Sequence, residues 1–97
     1  FALLPLLDNP DGRHRSALVW TVDEKHAAGV NALSDKAFLG EVARHMHGLF
    51  GAIELAAPRM SYPLRFHHSG RLVEDRLVVI GDAAHGMHPS SGQCLNL

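Results

Sequence analysis

Arg76-Leu77-Val78-Val79-Ile80-Gly81-Asp82-Ala83-Ala84-His85-Gly86-Met87-His88-Pro89-Ser90-Ser91-Gly92-Gln93-Cys94-Leu95-Asn96-Leu97 decides how the chain is read. It begins as a short apolar, β-branched run, the pattern of a strand buried on both faces. The run stops at Gly81-Asp82. A glycine at a strand end lets another backbone or a ligand come close, and an aspartate beside it can accept hydrogen bonds from hydroxyls. A turn-rich loop follows, Pro89-Ser90-Ser91-Gly92, and apolar character returns at Leu95 as if a helix were opening. A strand, an acid and a glycine loop at a helix start is how α/β proteins hold a polar cofactor at a strand's carboxyl end.

This stretch resembles the second flavin-binding motif of the FAD-dependent aromatic hydroxylases. In that family a strand leads into Gly-Asp-Ala-Ala-His, then Pro, then Gly-Gln-Gly-x-Asn. Gly81 to His85, Pro89, Gly92, Gln93, Leu95 and Asn96 match it, and Arg76 to Ile80 match the strand. The ubiquinone-biosynthesis hydroxylases are the most similar branch, because they carry His-Pro before the glycine loop, as His88-Pro89 does here. Cys94 departs from the family, which has glycine there. A glycine at such a place serves positive φ or close ligand approach, so the departure predicts weaker flavin retention.

The resemblance implies a fold class and a cofactor. The expected fold is α+β: antiparallel substrate-domain strands with one packing helix, plus the last strand and glycine loop of a Rossmann-like FAD domain. Residues 1–70 would belong to the substrate domain and 71–97 to the FAD-binding domain. The cofactor-binding residues implied are Gly81, Asp82, Pro89, Gly92, Gln93, Cys94, Leu95 and Asn96. Asp82 would hold a ribityl hydroxyl. The backbone of Gly92 to Asn96 would face the pyrimidine edge, where a helix start stabilises negative charge, and Pro89 would sit beside the ring. The implied parent is an FAD- and NAD(P)H-dependent monooxygenase acting on a small aromatic substrate, a quinone-precursor phenol in the leading reading. A halogenase or another ring hydroxylase shares the motif and stays open, as does a segment with no flavin binding of its own.

Composition narrows the remaining classes. The 97 residues fit one small domain with a modest core, at 46% hydrophobic content. A chain of this size buries a smaller share of its surface than a larger one. The net charge of −1 gives no electrostatic case for nucleic acid. No apolar run approaches the length of a membrane span, and no basic segment precedes the apolar opening as a secretory signal requires. A single cysteine allows no internal disulfide and suits a reducing compartment. The expected location is the cytoplasm, with a membrane-peripheral position open to the parent. There is no Gly-x-Gly-x-x-Gly unit, and Phe1-Ala2-Leu3-Leu4 reads as mid-strand. The chain is therefore expected to be an internal segment, inactive alone, with open strand edges that favour pairing with a second copy.

Upstream, Phe1 to Leu7 and Ser16 to Val22 are strand candidates around the turn formers Asp8-Asn9-Pro10-Asp11-Gly12, a predicted hairpin. Trp20 is read as core rather than as pocket wall. Asp23 to Ala28 opens a short helix limited by Gly29 and Asn31. Ser34 reads as the N-cap of a longer helix through Phe50, with Phe38, Leu39, Val42, Met46, Leu49 and Phe50 at helical spacing. Met60 to Phe66 alternates roughly as a strand interrupted by Pro63. Eight histidines invite a metal reading, yet His45 and His47 face different directions on a helix, and His67 and His68 face opposite sides of a strand. Only His85 and His88 have tolerable spacing, and they lack nearby cysteine or acid partners apart from Asp82. Neither a metal site nor a catalytic residue is expected, and Cys94 has no sequence-ordered base to make it a nucleophile.

Overall fold

The turn formers between residues 8 and 14 reverse the chain. Asn9 N–H donates to Arg13 O at 2.9 Å and Gly12 N–H to Asn9 O at 2.8 Å. Gly12 sits at φ +81°, a left-handed conformation that carries no Cβ penalty in glycine. Arg13 Nε donates to Asp11 Oδ2 at 2.8 Å and steadies the loop. The reversal pairs β1 (Ala2–Leu6) with β2 (Arg15–Val19), from Ala2 opposite Val19 to Leu6 opposite Arg15. These features come from a computed structural model, which describes residues 1–93 and 96. It divides into two compact units, Phe1–Ser61 and Tyr62–Leu97.

In the first unit the hairpin is followed by two helices, the short one opening at Asp23 and the longer packing helix capped by Ser34. Helix α1 (Glu24–Ala32) continues through Gly29 and Asn31 before Leu33 turns extended. Helix α2 (Asp35–His45) starts where the sequence places its cap: Ser34 Oγ accepts Ala37 N–H at 3.2 Å. Phe38 and Val42, four residues apart on one face of α2, are the buried apolar side chains of this unit among the described residues. Trp20, half-buried, lies 5.7 Å from the Phe38 ring, 5.6 Å from Phe1 and 4.9 Å from His45. His45 also lies flat against Phe1, with planes 4° apart. Arg59 closes the helix pair from outside. Its Nη2 donates to Leu33 O at 2.6 Å, meets Asp35 Oδ1 at 3.2 Å, and its guanidinium sits 4.7 Å from the Phe38 ring centre.

Helix α2 stops five residues short of Phe50 because the chain turns left-handed at His47 (φ +52°) and Gly48 (φ +68°). Gly48 N–H donates to Ala43 O at 3.1 Å and His47 N–H to Arg44 O at 3.2 Å, the paired bonds of a Schellman C-cap. The sequence marks Gly48 as the cap, but the first left-handed residue is His47. A β-carbon in that conformation costs about 1–2 kcal/mol. His47→Gly removes the cost while adding unfolded-state freedom, so it should stabilise this unit by about 0.5–1 kcal/mol. Urea unfolding followed by Trp20 fluorescence reads this, and a lower midpoint for the glycine form would refute it.

The second unit holds short antiparallel pairs. β3 (His67–His68) pairs with β6 (His85–Gly86), and Ser69 N–H extends the pairing to Ala84 O at 2.8 Å. β4 (Val73–Glu74) pairs with β5 (Leu77–Val78) across a two-residue turn with Arg76 at φ +59°. The expected strand Arg76 to Ile80 is thus ordered as a strand only at Leu77 and Val78, and its partner is the adjacent hairpin arm. Val73, Leu77, Val78 and Ile80 are all exposed, because no second layer covers them within this unit. The run from Met60 to Phe66 forms no strand, as Pro63 withholds a donor and no neighbour pairs with it. Every strand pair among the described residues is antiparallel. No helix among them is long and apolar enough to cross a membrane.

Candidate functional site

The Gly81-Asp82 element is a tight turn. Gly81, at φ +64°, starts a 3-10 turn over Gly81–Ala83, and Ala84 N–H closes it on Gly81 O at 3.0 Å. The positive φ explains why glycine stands here. Ala84 is 1% exposed and anchors the turn from inside. The Asp82 carboxylate is thereby left at the surface, and among the described residues it forms no ion pair. Its backbone oxygen accepts a hydrogen bond from His67 Nε2–H at 2.8 Å.

Asp82 faces an open cleft of about 350 Å³ together with Tyr62, Leu64, Arg65, His67 and Met87. These neighbours were missed as site residues in the sequence. The signal that could have found them is local: an aromatic, a cation and a histidine stand on either side of Pro63-Leu64, two strands upstream of the motif. Gly86, on the cleft wall, is buried, and a β-carbon there would meet His67 Nδ1 at 2.1 Å. The close approach of the imidazole to the Gly86 backbone therefore requires glycine or a displaced ring.

The glycine loop is built differently from the helix start expected of it. Pro89–Ser91 is a 3-10 turn with proline in its first turn, and Gly92 is left-handed at φ +61°. His88 Nδ1 accepts Ser90 N–H at 3.2 Å, Ser91 N–H donates to His88 O at 3.1 Å, and Gly92 N–H to Pro89 O at 3.2 Å. Gln93 N–H reaches Ser91 Oγ at 3.4 Å, and Asn96 N–H donates to Gln93 O at 2.9 Å. The amides of Ser90, Ser91, Gly92, Gln93 and Asn96 are spent on the loop's own turns. Cys94 and Leu95, both expected at the site, lie outside the described residues. Of the expected set, the cleft wall includes Asp82; Gly81, Pro89, Gly92, Gln93 and Asn96 are not part of it.

His85 pairs across the strands with His68, Nδ1 to Nδ1 at 2.9 Å, and not with His88, whose Nδ1 lies 2.6 Å from Ser90 Oγ. Among the described residues no group of three or more candidate ligands is placed to hold a metal. In the first unit a separate groove of about 630 Å³ is lined by Trp20, Val22, His26, Val30, Leu33 and His45. At its edge, the hydrogen bond from Arg44 holds the Glu41 carboxyl below its usual range and raises Arg44 in turn.

No family model and no solved structure matches the chain. Curated relatives do. The ubiquinone hydroxylase UbiL of Rhodospirillum rubrum is 41% identical over 99% of this chain and 21% of its own length. Over nearly its whole length the chain is similar to proteins named as hydroxylases and monooxygenases. The 3-demethoxyubiquinol 3-hydroxylase of Escherichia coli is 31% identical over 99% of this chain and 23% of its own length. The human mitochondrial ubiquinone biosynthesis monooxygenase COQ6 is 43% identical over 43% of this chain and 9% of its own length. The chain spans about a fifth of the length of the first two.

Proposed function

We propose that this chain is part of an FAD- and NAD(P)H-dependent monooxygenase that hydroxylates the ring of a quinone-precursor phenol. The observation that carries the reading is the identity, 31–41% over nearly the whole chain, with ubiquinone hydroxylases. The flavin motif from Gly81 to Asn96 supports it. In this reading residues 71–97 complete a Rossmann-like flavin domain and residues 1–70 belong to the substrate domain.

The Asp82 carboxylate fits the cofactor's sugar-alcohol chain. It is an exposed acceptor on a rigid turn, free of cation partners among the described residues, and a carboxylate accepting from hydroxyls makes strong, charge-assisted bonds. The glycine loop fits less directly, since its amides donate within the loop. Pro89, Gly92, Gln93 and Asn96 therefore enter the proposal on the motif alone. Bound FAD supplies the redox and oxygen-transfer chemistry; the chain's residues hold it, orient it and exclude water.

In the full-length protein, Asp82→Ala should weaken FAD binding by about 10- to 100-fold, the loss of one charged hydrogen bond at roughly 1.5–3 kcal/mol. Titration of apo-protein with FAD measures it. Equal affinity would remove Asp82 from the site. Mass analysis of products formed with NADPH and a prenylated phenol tests the reaction, and a halogenated or unchanged ring would overturn it.

A further inference from the structure

We infer that His68 and His85 form a pH-sensitive latch, which holds β3 on β6 until both rings are protonated. Their Nδ1 atoms are 2.9 Å apart, with ring centres at 4.8 Å and planes 25° apart. At that separation one nitrogen carries the hydrogen and the other a bare lone pair. Two neutral rings in opposite tautomers satisfy this, and so does one imidazolium donating to one neutral ring. Two imidazoliums do not. Two N–H groups then face each other, the bond is lost, and like charges repel.

The direction follows from proton counting. The closed pair accommodates one bonding proton between its Nδ1 atoms while the separated rings can each carry one, so closure persists through the half-protonated state and is lost as pH falls through the second protonation. Imidazole takes up its proton between about pH 5 and 8. The pairing it supports is small: two residues on each strand, plus the Ser69 N–H to Ala84 O bond. The side-chain bond acts beside these, the His67 bond to Asp82 O and the buried Ala84.

The charged and titratable groups of the adjoining segments are Arg65, His67, Asp82 and His88. His67 donates from Nε2 to Asp82 O, and that bond survives a proton added at Nδ1. His88 Nδ1 serves Ser90, so its protonation alters the Pro89–Ser91 turn instead. Arg65 keeps its charge throughout, and the Asp82 carboxylate is exposed. The pair offers only two nitrogens, which favours a proton over a metal as its ligand. The latch itself involves no cofactor, although the segment it holds carries Asp82, the residue on which the cofactor reading rests.

Nitrogen NMR of the imidazole rings in the protein, with chelator present, tests it. At neutral pH one Nδ1 of the pair should be protonated and the other bare. The pair should pass through a half-protonated state that keeps the bond, and Ser69 amide protection should fall about tenfold as the second ring takes up its proton. His68→Gln should reduce His85 to a single step and abolish the fall, and His85→Gln should do the reciprocal. Independent single-step titrations in the wild type overturn the latch even if neither variant folds. An unchanged His85 curve in His68→Gln, or constant Ser69 protection, also overturns it.

Discussion

Phe38→Ala should destabilise the Phe1–Ser61 unit by about 3–5 kcal/mol, the usual cost of emptying a core aromatic site. Phe38 is 9% exposed and shares the buried positions of this unit with Val42 alone among the described residues. Its ring meets Trp20 at 5.7 Å on one side and Arg59 at 4.7 Å on the other. Truncation removes the surface on which both rest, and no second buried ring is placed to fill the space. Phe38→Leu keeps most of the volume and should cost clearly less. Urea unfolding of both variants, followed by Trp20 emission, gives the comparison. A loss under about 1 kcal/mol for the alanine form would show that the site collapses without penalty and that Phe38 is not the centre of this core.

Arg59→Ala should cost about 2–3 kcal/mol, most of it from the charged hydrogen bond to Leu33 O. Leu33 caps α1 and its N–H donates to Val30 O at 3.2 Å, while its own carbonyl lies past the helix end, where acceptors lack intrahelical partners. Arg59 supplies a cation there, at 2.6 Å from Leu33 O and 3.5 Å from Val30 O. The contact with Asp35 adds little, because Asp35 is 72% exposed. The Phe38 face adds about 0.5–1 kcal/mol. Arg59→Lys keeps the charge but loses the planar fork, so it should recover only part of the loss. Equal unfolding midpoints for wild type, lysine and alanine forms would show that the clamp holds nothing.

These two residues differ in how far the sequence reveals them. Phe38 and Val42 stand out by helical spacing, and the Ser34 cap is legible from residue type alone. Arg59 is not, because it acts across about 25 residues on carbonyls that carry no side-chain signature. The end of α2 was misread for a related reason. Leu49 and Phe50 continue the apolar period but are exposed, since the left-handed turn at His47 and Gly48 ends the helix before they could join its face. At the motif, spacing identifies Gly81-Asp82 and the family. It does not reveal that His67 holds the Asp82 backbone, or that His85 meets His68 rather than His88.

What the sequence determined by itself are the features set by neighbours a few residues apart. The β1–β2 reversal comes from Asn9 to Gly12, the α2 start from Ser34, the Gly81 turn from a residue free to take positive φ. The spacing from Gly81 to Asn96 carried the resemblance to the hydroxylases. Tertiary structure decided which residues meet across long separations: Arg59 with the end of α1, Trp20 with Phe38 and His45, His68 with His85, and Asp82 with the Tyr62–His67 segment. Short-range choices follow from backbone sterics and local hydrogen bonds, which each residue type carries with it. Long-range pairings follow from packing and partner geometry, which exist only once the chain has folded.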